Sequence, residues 1–144
     1  MLSSPTVANG AVYIGSQDKK VYALDSLTGT YLWSYATGDE VVSSPAFYQD
    51  VIYVGSNDGN LYALNASDGN IRWVFKTGGP VFSGPLAANG LIYFGSQDGK
   101  LYTVRASDGV AVWNFSTGNG MEVLRGRDLH SDAFRSRVTT WHEH

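Results

Sequence analysis

A period of 40 residues runs through this chain without insertion or deletion, and it limits the possible folds more than any other feature. Pro5, Pro45 and Pro85 keep the step, as do Tyr13, Tyr53 and Tyr93, and Gly15, Gly55 and Gly95. Asp18, Asp58 and Asp98 follow, then Tyr22, Tyr62 and Tyr102, then Gly29, Gly69 and Gly109; Trp33, Trp73 and Trp113 close each unit. Self-similarity at this spacing marks an architecture in which a unit buries its apolar surface against its neighbours.

Each unit reads as four short strands. The first is small-residued ("SSPTVAN"); the second is "AVYIGS", "VIYVGS" or "LIYFGS"; the third is "KVYALD", "NLYALN" or "KLYTVR". The fourth is "TYLWSYATG", "NIRWVFKTG" or "VAVWNFSTG". Asn9-Gly10 and Asn89-Gly90 are hairpin turns whose residues tolerate positive φ. Asp58-Gly59 and Asp98-Gly99 are expected to turn the second strand into the third in the same way. In the first unit Lys19 follows Asp18 where the others have Gly, at a cost of about 1 kcal/mol if the left-handed geometry is kept. Thr28-Gly29, Asp68-Gly69 and Asp108-Gly109 join the third strand to the fourth.

The second and third strands are apolar at nearly every position, a pattern that belongs to sheets covered on both faces. Four-stranded antiparallel units with two buried faces and a period near 40 describe propeller blades. The expected fold is all-β: three four-stranded blades of 40 residues each within residues 1–120 (about 3–40, 41–80 and 81–120), forming a partial β-propeller. A non-repeat tail follows at 121–144.

The segment "ALDSLTGTYLW" (23–33), Ala-x-Asp-x-x-Thr-Gly-x-x-x-Trp, is similar to the tryptophan-docking motif of pyrroloquinoline quinone (PQQ)-like propellers. These repeats occur in quinoprotein dehydrogenases and in the lipoprotein of the bacterial outer-membrane assembly machinery. The second unit keeps Ala63, Gly69 and Trp73; the third keeps Gly109 and Trp113 but has Thr103 and Arg105 in place of Ala and Asp. The resemblance spans about residues 3–118. It implies that Trp33, Trp73 and Trp113 are blade-to-blade locks, with Gly29, Gly69, Gly109, Ala23, Asp25 and Ala63 supporting them. A Gly offers backbone on which an indole can lie flat, and Asp25 can accept hydrogen bonds from turn amides. The family's dehydrogenases would imply PQQ, calcium, a full eight-bladed ring and, in several, a vicinal disulfide. This sequence has three repeats and no Cys.

Other chemistry has little support. A net charge of −3 provides no basic footprint for nucleic acid. Without Cys there is no disulfide, thiolate site or cysteine nucleophile. The loops "GSQDKK", "GSNDGN" and "GSQDGK" lack phosphate-loop and calcium-loop patterns, so Asp18, Asp58, Gly59, Asp98 and Gly99 are read as turn residues. No apolar run approaches the roughly 20 residues of a membrane-spanning helix. The first ten residues lack the basic and apolar regions of a signal peptide. As it stands the chain reads as cytoplasmic, or as cell-envelope or extracellular where an export segment belongs to it.

All three His and four of the six Arg lie beyond Gly118. Phe134, Val138 and Trp141 fit a short amphipathic helix after Asp128, whereas the β-branched Val138-Thr139-Thr140 run disfavours one, and the blander expectation is a mobile terminus. His142-Glu143-His144 is at most a weak chelator. The functional expectation is a non-catalytic module for protein binding or assembly, with no cofactor and no metal. The alternative is a fragment of a PQQ-dependent alcohol or sugar dehydrogenase. Three blades cannot close a ring, so the expected partner, besides other proteins, is a second copy completing six blades.

Overall fold

The computed structural model describes residues 3–117. The first sheet comprises β1 (Thr6–Ala8), β2 (Ala11–Gly15), β3 (Lys20–Asp25) and β4 (Tyr31–Ala36). The second comprises β5 (Ala46–Tyr48), β6 (Val51–Gly55), β7 (Asn60–Asn65) and β8 (Ile71–Lys76). The third comprises β9 (Leu86–Ala88), β10 (Leu91–Ser96), β11 (Lys100–Arg105) and β12 (Ala111–Ser116). Each is an antiparallel meander in chain order, and no helix occurs among the described residues. The architecture is the expected all-β stack of three blades. The possible helix after Asp128 and the His142–His144 group lie outside the described residues.

The turns follow from local chemistry, with one difference from expectation. Asn9 and Gly10 both have positive φ (51° and 78°), as do Asn89 and Gly90 (54° and 80°). The middle blade makes the same turn with Gln49 and Asp50, at 52° and 64°, without the Gly that signals it in sequence. Between the second and third strands, however, only one residue of each loop is left-handed: Lys19 (79°), Gly59 (95°) and Gly99 (88°). Asp58 and Asp98 keep negative φ, so these are three-residue loops ending in a left-handed residue, not two-residue turns. Ser56 N–H donates to the Asn60 carbonyl at 3.0 Å, and Gly59 N–H to the Ser56 carbonyl at 3.1 Å, closing the loop.

The apolar surface is sandwiched between blades. One core joins Tyr13, Val21, Ala23 and Trp33 of the first blade to Ile52, Val54, Tyr62 and Leu64 of the second. The other joins Tyr53, Leu61 and Ala63 to Ile92, Phe94, Tyr102 and Val104 of the third. The middle blade therefore gives alternate residues to opposite cores, as the pleat requires. Strand β6 is buried at all five positions and β2 only at alternate ones. At the start of each following blade Val41 and Val81 press on Gly15 and Gly55. A Cβ at those Gly would lie 2.9 and 2.7 Å from the valine carbonyl oxygens.

Candidate functional site

The repeated residues converge on the joints between blades. In each blade the ladder between the third and fourth strands is interrupted at Ala23/Leu24, Ala63/Leu64 and Thr103/Val104. The extra residue lies just before the Trp, and such a bulge re-aims the side chain that follows. Ala23, Ala63 and Thr103 pair across the ladder with Trp33, Trp73 and Trp113 and are fully buried. At Thr103 the hydroxyl is buried with no hydrogen-bond partner among the described residues. Ala at this position avoids that cost.

Trp33 and Trp73 dock on the next blade rather than on their own turns. Trp33 Nε1–H donates to the Ala66 carbonyl at 2.9 Å, and Trp73 Nε1–H to the Ala106 carbonyl at 2.9 Å. The same carbonyls accept from Tyr13 Oη at 3.3 Å and Tyr53 Oη at 3.2 Å. Each Tyr ring lies beside its Trp, with centroids 6.0 and 5.7 Å apart. Three residues beyond each carbonyl the backbone must let the indole in. A Cβ on Gly69 would be 2.5 Å from Trp33 Cδ2, and one on Gly109 would be 2.6 Å from Trp73 Cδ2. Gly69 and Gly109 are thus required twice, for positive φ (77° and 74°) and for the missing Cβ.

The two ends of the stack differ from the expected three locks. Gly29 has the same conformation (φ 75°), but a Cβ there would meet nothing within 4 Å. Trp113 is 37% exposed, whereas Trp33 is 6% exposed. Two locks are therefore closed among the described residues, and a half-lock stands at each end.

The turn Asp residues also serve the joints, a role not visible in the sequence. Asp58 Oδ1 accepts from Asn60 N–H in its own loop at 2.9 Å. Its Oδ2 accepts from Tyr62 Oη and, across the joint, from Gly38 N–H at 2.9 Å. Asp98 repeats this with Lys100 N–H (3.0 Å), Tyr102 Oη (2.5 Å) and Gly78 N–H (3.0 Å). Burial acts to raise the Asp98 carboxyl, but the bonds from Tyr102, Gly78 and Lys100 outweigh it and hold it below the usual carboxylate range. Burial and the bond to Asp58 push the Tyr62 phenol up to about 12. Beside each Asp, a Thr–Ser hydroxyl pair bridges the blades, Thr37–Ser56 at 3.0 Å and Thr77–Ser96 at 2.9 Å.

Asp25 caps its own turn, accepting from Leu27 N–H (2.9 Å) and Thr28 N–H (3.0 Å), which lowers its carboxyl from the ordinary value. In the third blade Asp108 caps the turn instead, accepting from Val110 N–H at 3.0 Å, and pairs with Arg105 at the surface. That exchange explains why the third unit tolerates Arg at the motif's Asp position. Among the described residues no group of three His, Asp or Glu is arranged to hold a metal ion. No helix there is long and apolar enough to cross a membrane.

Stacked four-stranded meanders joined by docked tryptophans define a segment of a PQQ-repeat β-propeller. The family model described as outer membrane protein assembly factor BamB matches residues 1–47 and 37–140, and the chain belongs to that family. BamB from Moraxella catarrhalis is similar in structure, with a TM-score of 0.73 and 22% identity over 79% of this chain and 37% of that one. A quinohemoprotein alcohol dehydrogenase from Pseudomonas putida has a TM-score of 0.73 and 26% identity over 79% of this chain and 20% of that one. A europium-containing methanol dehydrogenase has a TM-score of 0.69 and 21% identity over 81% of this chain and 25% of that one. No curated protein matches the chain. The chain thus spans well under half the length of the solved structures it resembles.

Proposed function

We propose that the chain is a non-catalytic propeller module that binds or assembles proteins through its blades. The observation that carries this reading is the use made of the repeated polar and aromatic side chains. Asp58, Asp98, Thr37, Thr77, Trp33 and Trp73 are all engaged in holding one blade to the next. A residue committed to a joint is not free to act on a substrate, and the fold itself carries no activity. Membership of a family named for an assembly factor agrees with this.

The alternative is a piece of a PQQ-dependent alcohol or sugar dehydrogenase, favoured by the 26% identity to the quinohemoprotein alcohol dehydrogenase. Titration with PQQ and calcium, followed by absorbance and dye-linked alcohol oxidation, separates the two. The module reading expects no saturable binding and no turnover. Saturable PQQ binding with turnover of an alcohol or sugar would replace it with the enzyme reading.

A further inference from the structure

We infer that the cavity between the first and second blades takes an arginine side chain of a partner protein, with the Asp50 carboxylate holding its guanidinium. The inference rests on the assembly reading and names the chemistry of the partner. The cavity has a volume of about 450 Å³ and lies at the end of the joint that carries the Asn9-Gly10 and Gln49-Asp50 hairpins. Ala11, Tyr13 and Leu32 of the first blade wall one side; Asp50, Ala66 and Ser67 of the second wall the other. It opens between two blades packed on each other, not on an outer face of the stack.

The second joint shows what occupies this place one period on. There Tyr48 stands for Ala8, Val51 for Ala11 and Arg72 for Leu32. The Tyr48 hydroxyl accepts from Gly90 N–H at 2.7 Å and so bridges the two blades. Arg72 Nη1 donates to Asn65 Oδ1 at 3.0 Å. Burial raises the Tyr53 phenol, and the Arg72 charge opposes that rise. The second joint thus carries a guanidinium of its own beside its docked Trp–Tyr pair. At the first joint the side chains in those positions are smaller or apolar, and Ala11 and Leu32 leave room between the blades.

The first joint also reverses the charge. Asp50 takes the place of Gly90 and brings a carboxylate to the cavity. Burial raises the Tyr13 phenol and the Asp50 charge raises it further, the opposite sign to that of Arg72 at Tyr53. Asp50 is weakly satisfied: Asn9 Nδ2 donates to its Oδ1 at 3.4 Å, longer than an ordinary N–H···O bond. The ion pair among the described residues is Arg105–Asp108, so no cation there neutralises Asp50. A guanidinium fits this setting better than an ammonium. Its planar fork can meet both carboxylate oxygens, and its aliphatic stem can lie along Leu32, which is 48% exposed. Tyr13 Oη donates to the Ala66 carbonyl and keeps a lone pair with which to accept. An open cavity with an apolar rim suits a side chain carried on another protein.

The test is titration of the 144-residue chain with Nα-acetyl-arginine N-methylamide, followed by backbone amide NMR shifts. Saturable binding is expected with a dissociation constant of about 1 mM, the scale of one charge-assisted contact in an open pocket. The shifts should centre on Leu32, Asp50 and Ser67. The equally capped citrulline has the same shape without the charge and should bind at least about tenfold more weakly. Asp50→Asn removes the charge with a residue that tolerates positive φ, and should weaken binding by a similar factor. Asp39→Asn makes the same change in net charge beside Ser56, at the other end of the joint, and should leave binding unchanged. Leu32→Arg supplies a guanidinium within the chain, as Arg72 does at the second joint, and should block the probe. The inference is overturned by no saturable binding to the wild type, or by equal binding of the citrulline form. Equal effects of Asp50→Asn and Asp39→Asn, or undiminished binding to Leu32→Arg, would overturn it as well. Free L-arginine binding at least about tenfold tighter than the capped form would make the ligand a free amino acid and overturn the partner. None of these outcomes touches the PQQ titration, which decides the assembly reading by itself.

Discussion

Strands β2 and β6 are nearly the same in sequence, "AVYIG" and "VIYVG", yet they live in different surroundings. In β6 every residue is buried; in β2, Val12 and Ile14 are only half-buried while Ala11, Tyr13 and Gly15 are covered. The difference lies in the neighbours: β6 has a blade on each face, and among the described residues β2 has one only on the face that carries Tyr13. The same contrast separates Trp33, seated on Gly69, from Trp113, and Gly69 from Gly29. In a repeat protein a residue's worth is set by the interface it enters, so stability is close to a sum of joint terms. Equivalent positions of the motif should then respond very differently to one substitution.

The largest contrast is expected at the indoles. Trp33→Ala should cost roughly 3–5 kcal/mol, the range for emptying a buried aromatic site. It also leaves the Ala66 carbonyl with only the Tyr13 hydroxyl. At the lowest workable chain concentration, Trp113→Ala should cost about 1 kcal/mol or less, as for a partly exposed side chain outside a closed joint. Denaturant midpoints at constant m measure both. Equal losses would mean that the joints do not govern stability.

The Gly positions sharpen the same comparison. Gly69→Ala strains a left-handed residue by about 1–2 kcal/mol and forces a methyl into the docked indole, adding about 1–3 kcal/mol of overpacking. In dilute solution Gly29→Ala should show the strain alone, because its Cβ meets nothing within 4 Å. A gap of less than about 1 kcal/mol between the two would argue that the Trp33 indole yields easily, against the close packing of protein interiors.

Much of this was legible beforehand. The period, the four strands per unit, the Asn-Gly hairpins and the Trp–Gly pairing of types can all be read from residues in step. Direction could not be read. A period assigns each residue its place within a unit but not which unit it touches, so the seating of Trp33 on Gly69 rather than on Gly29 needed coordinates. The cross-joint bonds of Asp58 and Asp98 were hidden for the same reason, because a carboxylate with two oxygens can serve a turn with one and a neighbour with the other. The Gln49-Asp50 hairpin was hidden because it lacks the Gly of its sister turns, although Asp tolerates positive φ. Flanking strands impose the turn there.

A smaller effect is expected from pH, and it too belongs to a closed joint. Tyr62 has its phenol raised from 10.0 to about 12 by burial and by its bond to Asp58. The folded chain holds this proton more tightly than the unfolded one, so the stabilisation is complete below pH 10 and is lost as pH climbs towards 12. Asp98 has the opposite sign. Its carboxyl is depressed, so its contribution is present above the ordinary 3.8 and is lost as pH falls below that. Thermal midpoints between pH 9 and pH 12 should fall for the wild type and fall less steeply for Tyr62→Phe. Parallel curves would show that the Tyr62 phenol is not what the joint protects.

The smallest expected effect is at Lys19, where the first blade departs from its sisters. Its φ of 79° matches the left-handed geometry of Gly59 and Gly99, and its carbonyl accepts from Thr37 N–H at 2.7 Å as Gly59 accepts from Thr77 at 2.8 Å. The loop is therefore the same loop built with a side chain that disfavours it. Lys19→Gly should relieve up to about 1 kcal/mol of strain, reduced by the greater freedom that Gly gives the unfolded chain. Gly59→Lys should lose a similar amount, because its new Cβ would sit 3.3 Å from the Thr77 carbonyl oxygen in addition to the strained φ. Urea midpoints of the two variants should move in opposite directions. Movement in the same direction would show that the first loop differs from the second in more than its one substituted residue.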